Sequence, residues 1–120
     1  MKKVISTPNA PKAVGPYSQA IEVNGTIYIS GQIPVNPATG NIPETIEEQT
    51  TQSLENIGAI LKEAGCSYDN VVKTTVLLDD MNNFAAMNAI YAKYFEKDMC
   101  LLGAQAENYA ANINVDIAFF

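Results

Sequence analysis

Carboxylates, hydroxyls, side-chain amides, lysines and two thiols are the groups this sequence offers for chemistry, because it contains no histidine, arginine or tryptophan. Serine-histidine and cysteine-histidine catalysis are thereby excluded, as is any histidine-ligated metal. Cys66 and Cys100 stand 34 positions apart, without the short spacing of a metal knuckle or redox pair, and read as free thiols. Glu44, Glu47 and Glu48 fall where a helix begins and read as capping and dipole complements, not as a catalytic carboxylate pair. Asn88 stands out because helical spacing places it on the apolar stripe of Phe84 and Tyr91. An unpaired amide there costs about 1–3 kcal/mol, so it needs a partner such as a backbone carbonyl of a neighbouring strand. Lys73 falls opposite Val72 and Val76 on a strand and reads as solvated.

The elements that must position these groups fit into one domain over residues 1–120, since 13.0 kDa with 48% hydrophobic residues is enough for one modest core. No run of about 18 apolar residues occurs, and the opening MKKVIS is too short and polar for a secretion signal. A soluble, cytoplasmic protein with no membrane partner is expected. The net charge is −6 and all seven cations are lysines, which leaves little for a phosphate backbone to bind, so no nucleic-acid partner is expected.

Along the chain, Asn24-Gly25 separates Ser18 to Val23 from Thr26 to Ser30, and such a pair between alternating runs marks a tight hairpin. Gly31 to Pro43, with three prolines and Gly40, reads as a long ordered loop. Thr45 followed by Glu48 forms a capping box. Leu54, Ile57, Leu61 and Ala64 then recur at helical spacing until Gly65. Asn70 to Asp79 reads as a strand with Val72, Thr74, Val76 and Leu78 on one buried face. Asn82 or Asn83 is expected to cap a second helix, whose inward stripe holds Phe84, Met87, Asn88, Tyr91, Tyr94 and Phe95. The last strand spans Asn112 to Phe120, with Ile113, Val115, Ile117 and Phe119 alternating against polar or small residues. The expected fold is α+β, a mixed sheet with two helices on one face. Its opposite face carries enough apolar surface to favour self-association.

Four segments, NAPKAVGPYSQAI (9–21), ISGQIPVNPATG (29–40), VVKTTVLLDDMNNFAAMN (71–88) and YAKYF (91–95), together resemble the successive signatures of the RidA/YjgF family. The resemblance implies a chorismate-mutase-like fold of the bacillary type and a homotrimer around a central β-barrel, with sites in the clefts between subunits. It also implies hydrolysis of reactive 2-imino acids and their enamine tautomers to 2-oxo acids and ammonia. No metal or organic cofactor is required for that reaction, because an iminium carbon is already electrophilic. The site need only hold the substrate carboxylate, place a water and manage a proton.

By the same resemblance Tyr17 is the pocket tyrosine, Ser30 and Gly31 present a hydroxyl and a backbone amide to the cleft, and Asn88 finds its partner in the pocket or the interface. The packing alternatives are an aromatic lid for Tyr17 and a turn glycine for Gly31. Where the family carries Cys-Pro-Ala-Arg-Ser, with the arginine clamping the carboxylate, this chain reads CLLGA from Cys100 to Ala104, and Gly103 takes the arginine's place. The family's water-positioning glutamate on the last strand becomes Asn114, with Asp116 the nearest acid. A substrate-binding part for Gly103 and a catalytic part for Asn114 follow by position alone. The alternative reading is a catalytically impaired trimer that binds small carboxylates or regulates a partner. Dropping one nucleotide from TGT CCT GCT CGG AGC gives TGT CTG CTC GGA GC, which reads CLLGA. Residues 101 to about 110 are therefore expected to be a frame-shifted stretch that pairs and packs less well than its neighbours.

Overall fold

The structure, a computed structural model, describes residues 1–96, 101–106 and 113–119. Its centre is a six-stranded mixed sheet built from β1 (Lys3–Ile5), β2 (Ala20–Val23), β3 (Thr26–Gln32), β4 (Val71–Leu78), β5 (Leu101–Ala106) and β6 (Ile113–Phe119). The strand order is β1-β2-β3-β6-β4-β5, antiparallel throughout except for the parallel β4–β5 pair. Two helices, α1 (Ile46–Glu63) and α2 (Phe84–Tyr94), pack against each other and cover one face. This is the α+β arrangement that the residue pattern implies. Among the described residues no helix is long and apolar enough to cross a membrane.

Local signals account for the first half. Asn24 and Gly25 both take positive φ, 51° and 78°, which is the type I′ geometry whose twist matches that of the flanking strands. The Thr45 hydroxyl accepts the Glu48 amide at 3.2 Å and opens α1. At its other end the Gly65 and Cys66 amides return to the Lys62 and Leu61 carbonyls at 3.0 and 2.8 Å, a Schellman closure. Between these ends Leu54, Ile57, Ile60 and Leu61 are almost wholly buried.

Three expectations are corrected. The start of α2 is organised by Asp80 rather than by Asn82 or Asn83. Its carboxylate accepts the Asn82 amide at 2.9 Å at the head of a 3₁₀ turn, Met81–Asn83, that runs straight into the helix. Met87, Tyr91 and Phe95 are buried, but Asn88 is exposed. The buried stripe of α2 is narrow, and a residue next to Met87 lies about 100° around the helix axis, which turns Asn88 out of it. Within β4, Val71 pairs with Phe119 and Lys73 with Ala118, so Val72 is an extra residue in a β-bulge. Val71 is therefore buried in place of Val72, which is exposed, and the alternation resumes with Thr74, Val76 and Leu78. Lys73 is exposed, as expected.

The segment expected to pair poorly does not do so over its first six residues, since Leu101 to Ala106 run in unbroken register with Lys73 to Leu78. Sheet pairing uses backbone groups, and Leu-Leu-Gly-Ala-Gln-Ala contains no proline to remove a donor. Residues 107–110, and the ends of the predicted last strand at Asn112 and Phe120, lie outside the described residues. The short β1 was not foreseen at all, because three residues carry too little alternation to read.

Aromatic contacts tie the helices to the start of β4. The Tyr68 ring meets Tyr94 and Phe95 edge-on, at centroid distances of 5.2 and 5.6 Å, and its hydroxyl donates to the Leu54 carbonyl at 2.6 Å. Tyr94 donates to the Glu55 carboxylate at 3.0 Å. Burial first, and then the bond to and charge of Glu55, push the Tyr94 hydroxyl up to about 12. Burial and the same carboxylate raise Tyr68 as well. The crossing is possible because α1 carries a glycine there: a Cβ on Gly58 would collide with the Tyr68 hydroxyl. Gly58→Ala should therefore destabilise the protein by about 1–3 kcal/mol despite alanine's better helix propensity. Denaturant midpoints check this, and Tyr68→Phe in the Gly58→Ala background should recover part of the loss. An alanine variant as stable as the parent would contradict the contact.

Candidate functional site

The first half of the site grows from a loop that one buried amide holds in place. Gln19 accepts the Thr7 amide at 2.7 Å and donates to the Thr7 and Pro11 carbonyls at 3.1 and 2.9 Å. It is only 5% exposed, and these bonds satisfy backbone groups that a segment without secondary structure leaves open. Beyond this loop the chain turns at Gly15, where the Tyr17 amide donates to the Gly15 carbonyl at 2.8 Å. The Tyr17 hydroxyl accepts the Val14 amide at 3.3 Å, which leaves its own proton free to donate.

Tyr17 stands half-exposed between two clefts. One, of about 500 Å³, takes in Ser6, Lys12 and Gln19. The other, of about 420 Å³, takes in Lys2, Tyr28 and Ser30. The structure thus brings Tyr17 and Ser30 to one cleft. Ser30 donates its hydroxyl proton to the Ser18 carbonyl at 2.6 Å, and its amide donates to the Gln19 carbonyl at 2.9 Å. Its oxygen can therefore still accept, but its proton is engaged.

Strand register shows how the remaining residues relate to this half. Ile29 pairs with Ile117 and Gln32 with Val115, so Ser30 and Gly31 together oppose position 116 in a second β-bulge. Position 116 pairs in turn with Thr75, and Thr75 with Gly103. Since Thr74 and Val76 are buried, this row belongs to the face that the helices leave open. Asn114 pairs with Leu77, one row further along the same face. Asn88, by contrast, sits exposed on α2, which lies on the covered face. The single chain does not bring it to Tyr17 and Ser30.

The loop expected from Gly31 begins only after Gln32, because β3 runs through both residues, and side-chain amides hold it against α1. Asn56 of α1 donates to the Ile33 and Val35 carbonyls at 3.2 and 2.9 Å, and Gln49 to the Pro43 carbonyl at 2.8 Å. These amides, and Gln19, went unnoticed in the sequence. The available signal was a set of amide residues within otherwise apolar helical and strand faces. A further cleft of about 630 Å³, beside Gln52, Glu55 and Tyr68, contains none of the expected site residues. Among the described residues no group of histidine, cysteine, aspartate or glutamate side chains could hold a metal ion.

A family model described as Endoribonuclease L-PSP matches residues 7–119. The Mus musculus protein named 2-iminobutanoate/2-iminopropanoate deaminase is 56% identical over 97 residues, which span 80% of this chain and 72% of that protein. Among solved structures, the conserved Rid-family protein YyfA from Yersinia pestis superposes with a TM-score of 0.89 at 44% identity, covering 99% of this chain and 98% of that one. The crystal structure of E. coli TdcF with bound serine superposes with a TM-score of 0.92 at 33% identity, covering 98% and 97%. The match over nearly the whole chain, at identities this high, carries one conclusion: this chain belongs to the RidA/YjgF family.

Proposed function

We propose that this protein hydrolyses reactive 2-imino acids, with their enamine tautomers, to 2-oxo acids and ammonia, and that it does so as a homotrimer with its sites between subunits. The observation that carries the reading is the meeting of Tyr17 with Ser30, the first residue of the bulge, in one cleft, in a chain 56% identical to a protein named for this activity.

The chemistry suits these groups. Water adds to the imine carbon, the nitrogen takes up a proton, and the resulting amino alcohol expels ammonia to leave the ketone. Tyr17 has a free hydroxyl proton and supplies the donor toward the nitrogen. Ser30, whose proton is engaged with Ser18, accepts from the attacking water, and the Gly31 amide is assigned the anionic oxygen. Asn114 replaces an acid with an amide, which can orient a water but cannot take its proton. No cofactor enters this scheme.

Spacing supports a shared site. Ser30 on β3 and Gly103 on β5 are separated by three strand steps, roughly 14 Å at about 4.8 Å each, too far for one four-carbon substrate. A cleft that uses both ends of the row needs a second copy to bring them together. The open face offers the surface for this: Val4, Ile21 and Tyr28 register side by side, with Val4 57% and Tyr28 54% exposed. Closing such faces around a threefold axis gives the barrel expected of a chorismate-mutase-like assembly.

A second reading, a trimer that binds small carboxylates without turning them over, is favoured by one observation, the glycine at position 103. An assay separates the two. Freshly generated 2-iminobutanoate should lose ammonia faster with the protein than in buffer, and Tyr17→Phe or Ser30→Ala should lower that rate by roughly 10²-fold. No acceleration over buffer would leave the binding reading in place. Sedimentation equilibrium should give three times the 13.0 kDa chain mass, and Tyr28→Glu should shift the population toward monomer. A monomeric parent protein would remove the intersubunit site.

A further inference from the structure

Tyr17 separates two clefts, and only one of them enters the reaction proposed above. Each carries a single lysine: Lys2 lines the reacting cleft with Tyr28 and Ser30, and Lys12 lines the other with Ser6 and Gln19. No aspartate or glutamate lines either one. Elsewhere the 13 acidic residues of this chain, whose net charge is −6, make themselves felt. Glu55 and Glu63 line the cleft beside Tyr68, and Glu47, Glu48 and Glu55 line a groove along α1. An anion is therefore repelled at α1 and admitted on both sides of Tyr17.

The Lys12 cleft has the features of a built site. It encloses about 500 Å³, with apolar walls from Val4, Pro8 and Ala13, a size and lining suited to a small molecule. The Pro11 carbonyl, next to Lys12 in the chain, accepts from the buried Gln19 amide at 2.9 Å, so the backbone that carries the lysine is held in place. Lys12 itself is exposed and has no ion-pair partner among the described residues. The Ser6 and Ser18 hydroxyls likewise have no hydrogen-bond partner among them. Tyr17 accepts from the Val14 amide and keeps its own proton to donate. One ammonium and three hydroxyl donors thus line a cleft without a carboxylate.

We propose that this cleft is a second ligand site, distinct from the reacting one, which binds a short aliphatic monocarboxylate through Lys12 and the Tyr17 hydroxyl. The ammonium supplies a point charge for the carboxylate, and the apolar walls favour an aliphatic chain over a compact inorganic anion. Occupancy has a consequence for turnover. The Tyr17 oxygen carries one proton and serves one cleft at a time, so a carboxylate beside Lys12 takes the donor that the imine nitrogen needs beside Ser30. That consequence rests on the deaminase reading, whereas the binding does not.

Butanoate, which is not a product of imine hydrolysis, is the probe, titrated into the full chain and followed by calorimetry and by backbone amide shifts. The shifts should be largest at Ser6, Lys12 and Ala13. Lys12→Gln should weaken binding roughly ten-fold or more, Lys12→Arg should stay within about three-fold of the parent, and Lys2→Gln should leave the affinity unchanged. With 2-iminobutanoate as substrate, butanoate should lower kcat and leave KM nearly unchanged, and Lys12→Gln should remove that inhibition. Displacement of butanoate by 2-oxobutanoate would identify the reaction product as a ligand, and failure to displace it would restrict the site to acids without the oxo group. Shifts confined to Ile29 and Ser30, a Lys12→Gln variant that binds as the parent does, or inorganic phosphate bound as tightly as butanoate overturns the proposal. If butanoate binds through Lys12 while the parent fails to accelerate imine hydrolysis, the second site stands and the deaminase reading falls. Hydrolysis without binding that depends on Lys12 gives the reverse.

Discussion

A six-stranded sheet has two faces, and two helices from the same chain can cover only one of them. On the covered side Ile27, Ile29, Val76 and Leu78 face Leu54, Ile57 and Leu61 of α1 and Met87 and Tyr91 of α2. Because successive strand residues point to opposite faces, every core residue commits its neighbours to the open side. Ser30, Lys73 and Thr75 are on that side because Ile29, Thr74 and Val76 are not. The hydrophobic pattern that builds the core thus also distributes the polar groups of the site. A single-residue slip in a strand would exchange the two sets.

Such slips occur twice, and both matter. At Val72 a bulge inserts a residue between the phase of Val71 and that of Thr74. Strict alternation read from the sequence buries Val72, and nothing within β4 announces the extra residue, because a bulge is defined by the partner strand. At Ser30 and Gly31 a second bulge sets two residues against one position of β6. A bulge there bends the strand end and re-aims its side chains, and Ser30 borders the cleft. The first slip cost a wrong assignment, whereas the second fell on residues already singled out by family resemblance.

What the sequence revealed has a common physical character: signals complete within a few residues. The Asn24-Gly25 turn, the Thr45 cap and the Gly65 stop each depend on local backbone conformation, and all were readable. The errors concern what an element meets. Asn88 looked inward because its stripe was drawn too wide, and the width of a buried stripe depends on what packs against the helix. The pairing of Leu101 to Ala106 was missed because the segment has no alternation of its own, while β4 supplies the template. Tyr17 and Ser30 were singled out through resemblance, and their hydrogen bonds with Val14 and Ser18 are set by the fold alone.

Buried polar side chains give the last step. Gln19, Gln49 and Asn56 are each at most 6% exposed, and each donates to carbonyls of a segment without regular structure. A core designed for stability alone would place apolar residues there, since a buried amide contributes little unless fully satisfied. These amides hold the loop before Tyr17, which borders the cleft, and tie the loop after β3 to α1. Hydrolysis of an electrophilic imine asks for little besides placement of a water and a proton donor within a few tenths of an ångström. Placement by buried amides does not depend on an arginine. The framework that holds Tyr17 and Ser30 is built without any charged side chain.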